Sequence, residues 1–366
     1  MSVQQPKEKI PVGILGATGT VGQRFIQLLD SHPYFVVAAV GASERSAGKL
    51  YSDAASRSWK QITTIPAAVG SLTVQKCAPE NFTSCRVIFS GLDSDVAGEI
   101  ETAFLKAEFA VFSNAKNHRM DPVVPLMVPL VNAHHLDIIP HQRSLHNLQK
   151  GFLVTNANCS TTGLVVPLKA LQDAFGPLSR VIVTTMQAIS GAGYPGVPSL
   201  DILGNIVPYI SGEEEKLEIE AAKILGGLST NATAFVEAPD MKVSASCNRV
   251  PVIDGHTESV FVEFKNRPAP SIEQVTEVLK SYVSEAQKIG APTAPEHVIE
   301  VATLPDRPQP RLDINAGNGN AVVVGRVREC NIFDVKFTLL SHNTILGAAG
   351  SSILNAEVAV AKGLIV

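Results

Sequence analysis

Short apolar runs separated by amphipathic stretches mark the first half of the chain, and this pattern is typical of parallel strands joined by helices. Apolar residues from Val21 to Leu29 recur at helical spacing, and residues 95–107 predict a crossover helix. We therefore predict an α/β domain with a Rossmann-like, doubly wound sheet and a ligand crevice at the carboxyl ends of its strands. The predicted strands are Ile10–Leu15, Phe35–Val40, Val87–Gly91, Phe109–Asn114 and Phe152–Val154.

The second half of the chain changes to an alternation of apolar and polar residues, which is typical of strands with one covered face. This predicts an α+β domain with a mostly antiparallel sheet. The segment 343–361 is rich in small residues and predicts a C-terminal helix that packs back on the first domain. The predicted domains are therefore 1–157 plus 343–366, and 158–342. The alternating stretches are Lys242–Asn248, Glu258–Phe264, Ala321–Val327 and Asp334–Leu340.

Residues 116–150 have no clear period and contain four prolines and five histidines. We predict an irregular segment there. The histidines lack an accompanying cysteine, and their spacing fits no structural zinc module. The sequence therefore predicts no metal site.

Composition narrows the class of protein. The 366 residues are 45% apolar and 17% charged, with a net charge of −4; a globular protein of about two domains is expected. The chain has no basic stripe, which argues against nucleic acid or an anionic membrane as a partner. No apolar stretch is long enough to span a bilayer. Five scattered cysteines are typical of free thiols in a reducing compartment, so we expect a cytoplasmic protein.

A glycine-rich turn follows the first predicted strand directly. Its spacing, Gly16-x-x-Gly19-x-x-Gly22, differs slightly from G-x-G-x-x-G, but its small residues still let a pyrophosphate approach the backbone and a helix N-terminus. Because the turn lies between a strand and an amphipathic helix, it predicts a dinucleotide site. The predicted cofactor-binding residues of this turn are Gly16, Thr18, Gly19, Thr20 and Val21.

The end of the second strand bears on the choice of dinucleotide. NAD sites usually have an acidic residue there for the ribose 2′-hydroxyl, whereas this chain has Ser43, Glu44 and Arg45. A hydroxyl and a guanidinium suit a 2′-phosphate, so we favour NADP as the cofactor. Glu44 argues for NAD instead. The alternative to a cofactor contact is a turn whose polar side chains contact only solvent. Ser90 and Gly91, at the end of a later strand, are also predicted neighbours of the cofactor.

Cys159 lies where a strand meets a helix, within the stretch 156–163. The N–H groups of a first helical turn and the helix dipole stabilise negative charge, so we predict a favoured thiolate and a nucleophile. A small cysteine buried in a turn is the alternative. A nucleophile usually needs a base and a group that holds the substrate. Arg249 and His256, separated by a Pro and Gly kink, offer a carboxylate-binding fork and a proton acceptor.

Two of these assignments have structural alternatives. His256 taken alone fits a hydrogen-bonded histidine at a strand end. The acidic run 213–215 precedes Lys216 at a predicted helix start, where carboxylates also suit a solvated helix face. We favour Glu213 as the functional member of this run, because a spacing of three brings it and Lys216 to one side of a helix.

Taken together, these motifs make the chain similar to the aspartate-semialdehyde dehydrogenases of archaea and fungi. The resemblance covers nearly the whole chain and runs through 13–19, 156–161, 249–256 and 343–349. The nucleophile segment and the arginine-to-histidine segment are specific in combination, whereas the glycine turn is generic.

The resemblance implies a role for each of several residues. Cys159 is implied to form the acyl-enzyme, His256 to act as acid and base, and Gln187 to orient the acyl group. Arg249 and Glu213 are implied to hold the α-carboxylate and the ammonium group of the substrate. The remaining implied positions are Arg119, Asn158 and Lys216 for phosphate, and Gly191 and Asn343 for the cofactor, with Asn343 at the nicotinamide carboxamide.

The implied activity is the NADPH-dependent reductive dephosphorylation of L-4-aspartyl phosphate to L-aspartate 4-semialdehyde, which NADP+ and phosphate reverse. The pathway leads to threonine, methionine and isoleucine, and to lysine in some organisms. N-acetyl-glutamyl-phosphate reductase and malonyl-CoA reductase are enzyme alternatives on the same fold, and an NADP-binding regulator is an alternative of another class. A homodimer or homotetramer is expected, because second domains of this family pair through their sheets.

Overall fold

Seven parallel strands form one sheet in the computed structural model, which describes residue 6 and residues 8–238 and 241–365. They are β1 (Ile10–Leu15), β2 (Phe35–Ala42), β3 (Gln75–Lys76), β4 (Val87–Ser90), β5 (Ala110–Ser113), β6 (Leu126–Met127) and β7 (Phe152–Asn156). Their order across the sheet is β3-β2-β1-β4-β5-β7-β6, and all neighbours are parallel. The five longest strands lie where the apolar runs predicted them, so the Rossmann-like prediction is confirmed.

Helices lie between these strands, and α1 has the predicted amphipathic character. The helices are α1 (Thr20–Leu29), α2 (Tyr51–Ala55), α3 (Ala67–Gly70), α4 (Ser94–Lys106) and α5 (Ile139–His146), with 3₁₀ turns at Pro79–Asn81 and Ala133–Ile138. α1 buries Phe25, Ile26 and Leu29. Its apolar side therefore packs on the sheet, while its N-terminus lies at the glycine turn after β1.

The segment 116–150 is more regular than predicted. It contains β6, a 3₁₀ turn and α5. The prolines obscured these elements, yet Pro140 lies in the first turn of α5, where the missing N–H has no intrahelical acceptor to lose. The strands β3 and β6 have two residues each, which is too short for a period of two to be recognised.

A second sheet is built from the later part of the chain. The remaining strands are β8 (Leu178–Gln187), β9 (Gly227–Leu228), β10 (Phe235–Val236), β11 (Lys242–Arg249), β12 (His256–Phe264), β13 (Ile299–Val301), β14 (Val322–Glu329) and β15 (Val335–Ser341). β9 and β10 pair separately, and the other six form one sheet in the order β11-β8-β12-β15-β14-β13. The three central pairings are antiparallel, as predicted, whereas both edge pairings are parallel. A residue pattern of period two does not specify strand direction.

Helix α6 links the two sheets. The remaining helices are α6 (Cys159–Phe175), α7 (Ser199–Ile202), α8 (Glu213–Ile224), α9 (Ile272–Ser281), α10 (Glu285–Lys288), α11 (Pro310–Asp313) and α12 (Gly350–Ala361), with one π-helical turn at Ile345–Ala349 and 3₁₀ turns at Ile189–Ala192 and Ala316–Gly319. α6 begins just after β7 ends and packs against β12, β14, β15 and α8 of the second part. None of the helices described has the length and apolar character needed to cross a membrane.

The C-terminal helix returns to the first sheet, as predicted, and packs against β4, β5, β7 and α1. The buried carboxylate of Glu357 on α12 accepts hydrogen bonds from His32 Nε2 at 2.8 Å and from both the N–H and the hydroxyl of Thr293, at 3.0 and 2.8 Å. The backbone N–H groups of Tyr34 and Phe35 donate to His32 Nδ1, so Nε2 carries the hydrogen. Glu357 thus satisfies three donors from distant parts of the chain.

We predict that Glu357→Gln lowers the apparent free energy of unfolding by about 2 kcal/mol, because an amide group would turn its own N–H toward one of the three donors that the buried carboxylate now accepts from. Urea denaturation followed by circular dichroism at fixed protein concentration measures the change. Glu99→Gln is the matched control, since Glu99 is exposed on α4 and should change stability by less than about 0.5 kcal/mol. Equal effects of the two substitutions would contradict the prediction.

Candidate active site

A cavity of about 1260 Å³ lies at the carboxyl edge of the first sheet and reaches the start of α6. Parallel strands and a helix start meet there, as expected for a doubly wound sheet. The predicted site residues that line it are Gly16, Thr18, Gly19, Thr20, Val21, Ser43, Arg45, Gly91, Arg119, Asn158, Cys159, Gly191, Glu213, Lys216 and Asn343. One cavity therefore joins the predicted cofactor, phosphate and nucleophile positions.

The glycine turn fits a dinucleotide pyrophosphate. Gly16 has φ +70°, and a Cβ there would approach the Gly91 carbonyl oxygen to 2.6 Å, so only glycine suits both the conformation and the contact. Helix α1 follows without a side-chain cap on its first N–H groups. Those N–H groups and the helix dipole therefore face the cavity as an anion-binding end.

A cation that the sequence analysis did not select lies beside Ser43 and Arg45. Lys76, on the neighbouring strand β3, also lines the cavity. Its Nζ lies 3.0 Å from Glu44 Oε1, and both side chains are exposed. Glu44, the residue that argued for NAD, is thus paired with a lysine at the predicted 2′-phosphate position. The sequence separates the two residues by 32 positions, so only the parallel pairing of β2 and β3 reveals the contact.

Ser90 does not reach the cavity. It is fully buried within β4, and its carbonyl accepts a hydrogen bond from Asn114 Nδ2 at 3.0 Å. Successive side chains of a strand alternate between its two faces, and the Ser90 side chain lies on a face that is covered by the protein interior. The predicted contact of Ser90 with the cofactor is therefore not supported by its position.

Asn158 caps helix α6 and so fixes the first helical residue, Cys159. Its Oδ1 accepts from the N–H groups of Ser160 at 2.9 Å and Thr161 at 3.3 Å, which are the donors that an N-cap residue satisfies. Its Nδ2 donates to Glu213 Oε2 at 2.8 Å. No acceptor among the described residues pairs with the Cys159 N–H, so this group is available to an oxyanion beside the sulfur.

Cys159 and His256 form a close pair, with 3.1 Å between Sγ and Nε2. The N–H of Ala188 donates to His256 Nδ1 at 3.1 Å, which fixes the ring and disfavours a second ring proton. Burial, followed by the charge of Arg249, lowers the pKa of His256 to about 3. Because Nδ1 accepts from Ala188, the hydrogen of the neutral ring lies on Nε2, so His256 faces the sulfur as a hydrogen-bond donor and not as the predicted proton acceptor. This donor stabilises negative charge on Sγ during attack.

The prediction of a favoured Cys159 thiolate is wrong for the ligand-free site. Burial and then Glu213 raise the pKa of the thiol to about 12, although Arg119, Arg249 and Lys216 act in the opposite direction. A helix N-terminus stabilises an anion by at most about 2 kcal/mol, whereas burial shifts a pKa by up to about 3–5 units. The sequence revealed the helix start but not the depth of burial.

The acidic run at the start of α8 divides between three environments. Glu213 lies in the site, where Oε1 is 2.6 Å from Lys216 Nζ and Oε2 accepts from Asn158 Nδ2 and Gln187 Nε2. Burial opposes its ionisation, but Lys216 and these amides outweigh burial and lower its pKa. Glu214 instead accepts from the N–H of residue 247, and residue 215 is exposed. The geometry supports the choice of Glu213.

Arg249, Gln187 and His256 lie behind the wall of the cavity. Arg249 Nη1 donates to the Ala188 carbonyl at 2.7 Å, so Ala188 orients Arg249 through its C=O and His256 through its N–H. A Cβ on Gly191 would come within 3.0 Å of Arg249 Nη1 and 3.4 Å of His256 Cε1. Glycine therefore lets this loop cover both side chains. The backbone groups of Ala188 left no signal in the sequence.

Arg119 is held by a carboxylate that the sequence analysis missed. Its Nη1 donates to Glu220 Oε1 at 2.8 Å, and its Nη2 to the Asn114 carbonyl at 3.0 Å. The other oxygen of Glu220 accepts from the Asn158 N–H at 2.7 Å. Glu220 lies seven residues after Glu213, and therefore on the same face of α8. That spacing was the available signal.

Asn343 lies at the junction of the loops that surround the site. Its Oδ1 accepts from the Gly255 N–H at 2.8 Å, and its Nδ2 donates to Ser190 Oγ at 2.8 Å. It therefore ties the chain before His256 to the loop that contains Gly191. Within the described ranges, no group of three His, Cys, Asp or Glu side chains is placed to hold a metal ion.

Comparisons with known proteins point to one family. Residues 11–139 match the family Semialdehyde dehydrogenase, NAD binding domain, and residues 168–346 match Semialdehyde dehydrogenase, dimerisation domain. Aspartate-semialdehyde dehydrogenases of Cryptococcus neoformans and Aspergillus fumigatus are 59% and 58% identical over 98% of this chain and 99% of each relative. The crystal structure of aspartate semialdehyde dehydrogenase with NADP from Candida albicans has a TM-score of 0.91 and 54% identity, over 97% of this chain and all of that one.

We predict that alkylation of Cys159 by iodoacetamide keeps accelerating up to about pH 10 in the free protein, because the thiolate fraction grows about tenfold per pH unit below a raised pKa. Mass spectrometry of the Cys159 peptide after timed labelling measures the rate. Cys330 is the internal control: burial opposes its ionisation, but the N–H groups of residues 332 and 333 outweigh burial and lower its pKa. Its rate should level off at a lower pH. A plateau for Cys159 below about pH 8 would contradict the assignment.

Proposed function

Because this chain belongs to the aspartate-semialdehyde dehydrogenase family, we propose that it reduces L-4-aspartyl phosphate to L-aspartate 4-semialdehyde with NADPH, releasing phosphate. The pathway is the biosynthesis of aspartate-family amino acids. The contact between Cys159 Sγ and His256 Nε2, at the end of the cavity that begins at the glycine turn, carries the proposal. The relatives favour this activity over those of N-acetyl-glutamyl-phosphate reductase and malonyl-CoA reductase, and over a regulator that binds NADP without catalysis.

Cys159 acts as the nucleophile. Its Sγ attacks the acyl carbon, the bond from that carbon to the phosphate oxygen breaks, and the thiol proton leaves with the phosphate while His256 Nε2 donates its hydrogen bond to Sγ. Because burial raises the pKa of the thiol, loss of this proton accompanies the attack instead of preceding it. The Cys159 N–H, at the start of α6, stabilises the oxyanion. When bound, NADPH supplies the hydride that reduces the resulting thioester, after which the C–S bond breaks and Cys159 recovers a proton.

Charged groups around Cys159 recognise the substrate. Arg249 binds the α-carboxylate in a bidentate manner, and Glu213 binds the ammonium group. Lys216, Arg119 and Asn158 bind the phosphate. The buried Nε of Arg119 has no acceptor among the described residues, which supports an anion as its partner. Gln187 orients the acyl group.

The cofactor is NADP. Its pyrophosphate binds at the glycine turn and the N-terminus of α1, where the uncapped N–H groups suit an anion. Ser43, Arg45 and the additional cation Lys76 suit the 2′-phosphate. Asn343 binds near the nicotinamide and Gly191 covers it, because both line the same cavity as Cys159.

The larger organisation also forms part of the proposal. We assign the cofactor domain to residues 1–157 and 343–366, and the catalytic and dimerisation domain to residues 158–342. The chain functions as an oligomer, a homodimer or homotetramer that pairs through the second sheet. Its five cysteines are all free, which supports the cytoplasm as its location.

Replacement of the nucleophile tests the mechanism. Cys159→Ser should lower the rate of phosphate-dependent NADPH formation from aspartate semialdehyde by at least about a thousandfold, because a hydroxyl is a far weaker nucleophile than a thiolate. Absorbance at 340 nm follows the reaction. Cys330→Ser makes the same change outside the site and should retain normal turnover. Near-normal activity of Cys159→Ser would exclude the thioester mechanism.

Replacement of adjacent carboxylates tests substrate recognition. Glu213→Gln should raise KM for aspartate semialdehyde by about tenfold or more, because a charge-assisted hydrogen bond to the ammonium group is lost. Glu214→Gln should leave KM nearly unchanged, since that carboxylate binds a backbone N–H of β11. Assays with N-acetyl-glutamate semialdehyde and malonyl-CoA test the two alternative substrates. Equal KM changes in the two variants would contradict the assignment to Glu213.

A further inference from the structure

Arg119, which we propose binds phosphate, is held by two charged residues of helix α8, Glu220 and Lys223, on its side away from the cavity. Both are at least nine-tenths buried, and neither lines the cavity. Glu220 accepts from Arg119 Nη1 through one oxygen and from the Asn158 N–H through the other, at 2.8 and 2.7 Å. The Glu220 carboxylate thus joins Arg119, the predicted phosphate-binding cation, to Asn158, which caps the helix that begins at Cys159.

Lys223 holds the main chain around Arg119. Its Nζ donates to the carbonyl oxygens of Arg119, Asp121 and Val124 at 2.7, 2.9 and 3.1 Å, and the Phe235 ring lies 4.6 Å below it. These three bonds use all three hydrogens of an ammonium group. The loop 119–124 is therefore fixed to α8 at its backbone, while Glu220 fixes the guanidinium.

We propose that Glu220 and Lys223 are positioning residues that determine phosphate affinity by fixing Arg119. A guanidinium binds an anion tightly only when its direction is set in advance, because ordering a long side chain on binding consumes part of the interaction energy. Two anchors on one rigid helix set that direction. The same helix presents Glu213 and Lys216 to the cavity, so phosphate and substrate positions keep a fixed spacing.

This inference rests on the proposed role of Arg119, and kinetics in the oxidative direction test both. KM for phosphate, KM for aspartate semialdehyde, KM for NADP+ and kcat are measured for wild type, Glu220→Gln, Glu220→Asp, Lys223→Met and Arg119→Ala. Glu218→Gln and Lys280→Met are matched controls, since both residues are exposed on helices. Thermal unfolding of each variant verifies that the protein is folded.

We expect Glu220→Gln and Lys223→Met to raise KM for phosphate by about ten- to a hundredfold, with kcat at saturating phosphate and the other two KM values changed less than about threefold. Glu220→Asp keeps the charge but is too short to reach both Arg119 and Asn158, so it should give the same selective change. It provides the test if Glu220→Gln unfolds the protein. The controls should match wild type.

The outcomes separate the two claims. An unchanged phosphate KM in Arg119→Ala would overturn the role of Arg119 and this inference with it. A raised value in Arg119→Ala, but wild-type values in folded Glu220→Gln and Lys223→Met, would overturn the inference alone. Equal rises in all three KM values would also overturn it, because they would indicate general loosening instead of positioning.

A pH profile gives a second readout. Burial lowers the pKa of Lys223 to about 8, although Asp121, Glu237 and Glu220 oppose this change; Arg119 and His135 face it from the other packed segments. Lys223 is charged below that pH and loses one donor above it. The ratio of phosphate KM in wild type to that in Lys223→Arg, which stays charged, should therefore rise above about pH 8. A flat ratio would contradict the role of Lys223.

Discussion

The capped start of helix α6 is the constraint on which the site depends. The side chain of Asn158 makes hydrogen bonds at both ends of its amide: Oδ1 accepts from a first-turn N–H group and Nδ2 donates to Glu213. Its backbone N–H donates to Glu220. Cys159 follows as the first helical residue, and the π-helical turn before α12 packs on it so closely that a Cβ on Gly347 would lie 2.8 Å from the Cys159 Cβ. In this arrangement the sulfur lies beside His256, 3.1 Å from Nε2.

Helix α8 completes this arrangement from the second part of the chain. Residues 213, 216, 220 and 223 recur at helical spacing on one face, with alternating charge. Each of these four side chains has a partner, either an opposite charge or carbonyl oxygens, as buried charges require. The hydrogen bonds of residues 213 and 220 end on the α6 cap. The two helices are therefore coupled, and the groups that would bind substrate and phosphate move with the nucleophile.

The sequence predicted the features that depend on neighbouring residues. Strands with a clear apolar pattern, the glycine turn and the helix start at Cys159 are local properties, and each lies where expected. The short strands β3, β6 and β13 are stabilised by their partners in the sheet, so they leave no period. Lys76, Glu220 and Ala188 act across long sequence separations, partly through backbone groups, and residue identity does not reveal such contacts. Ser90 illustrates the converse, since a suitable residue at a strand end points into the interior.

The raised pKa of the Cys159 thiol follows from the same burial that orders the site. A thiol that remains protonated resists alkylation and oxidation, because both reactions use the thiolate. The ring of His256, neutral for the same reason, donates from Nε2 to the sulfur at 3.1 Å and so stabilises the charge that forms there when attack on an acyl carbon begins. If Glu213 binds the substrate ammonium group as proposed, that positive charge offsets the carboxylate that raises the thiol pKa. In the proposed mechanism burial therefore delays ionisation until substrate binds, which a helix start, with its preference for an anion, would not do.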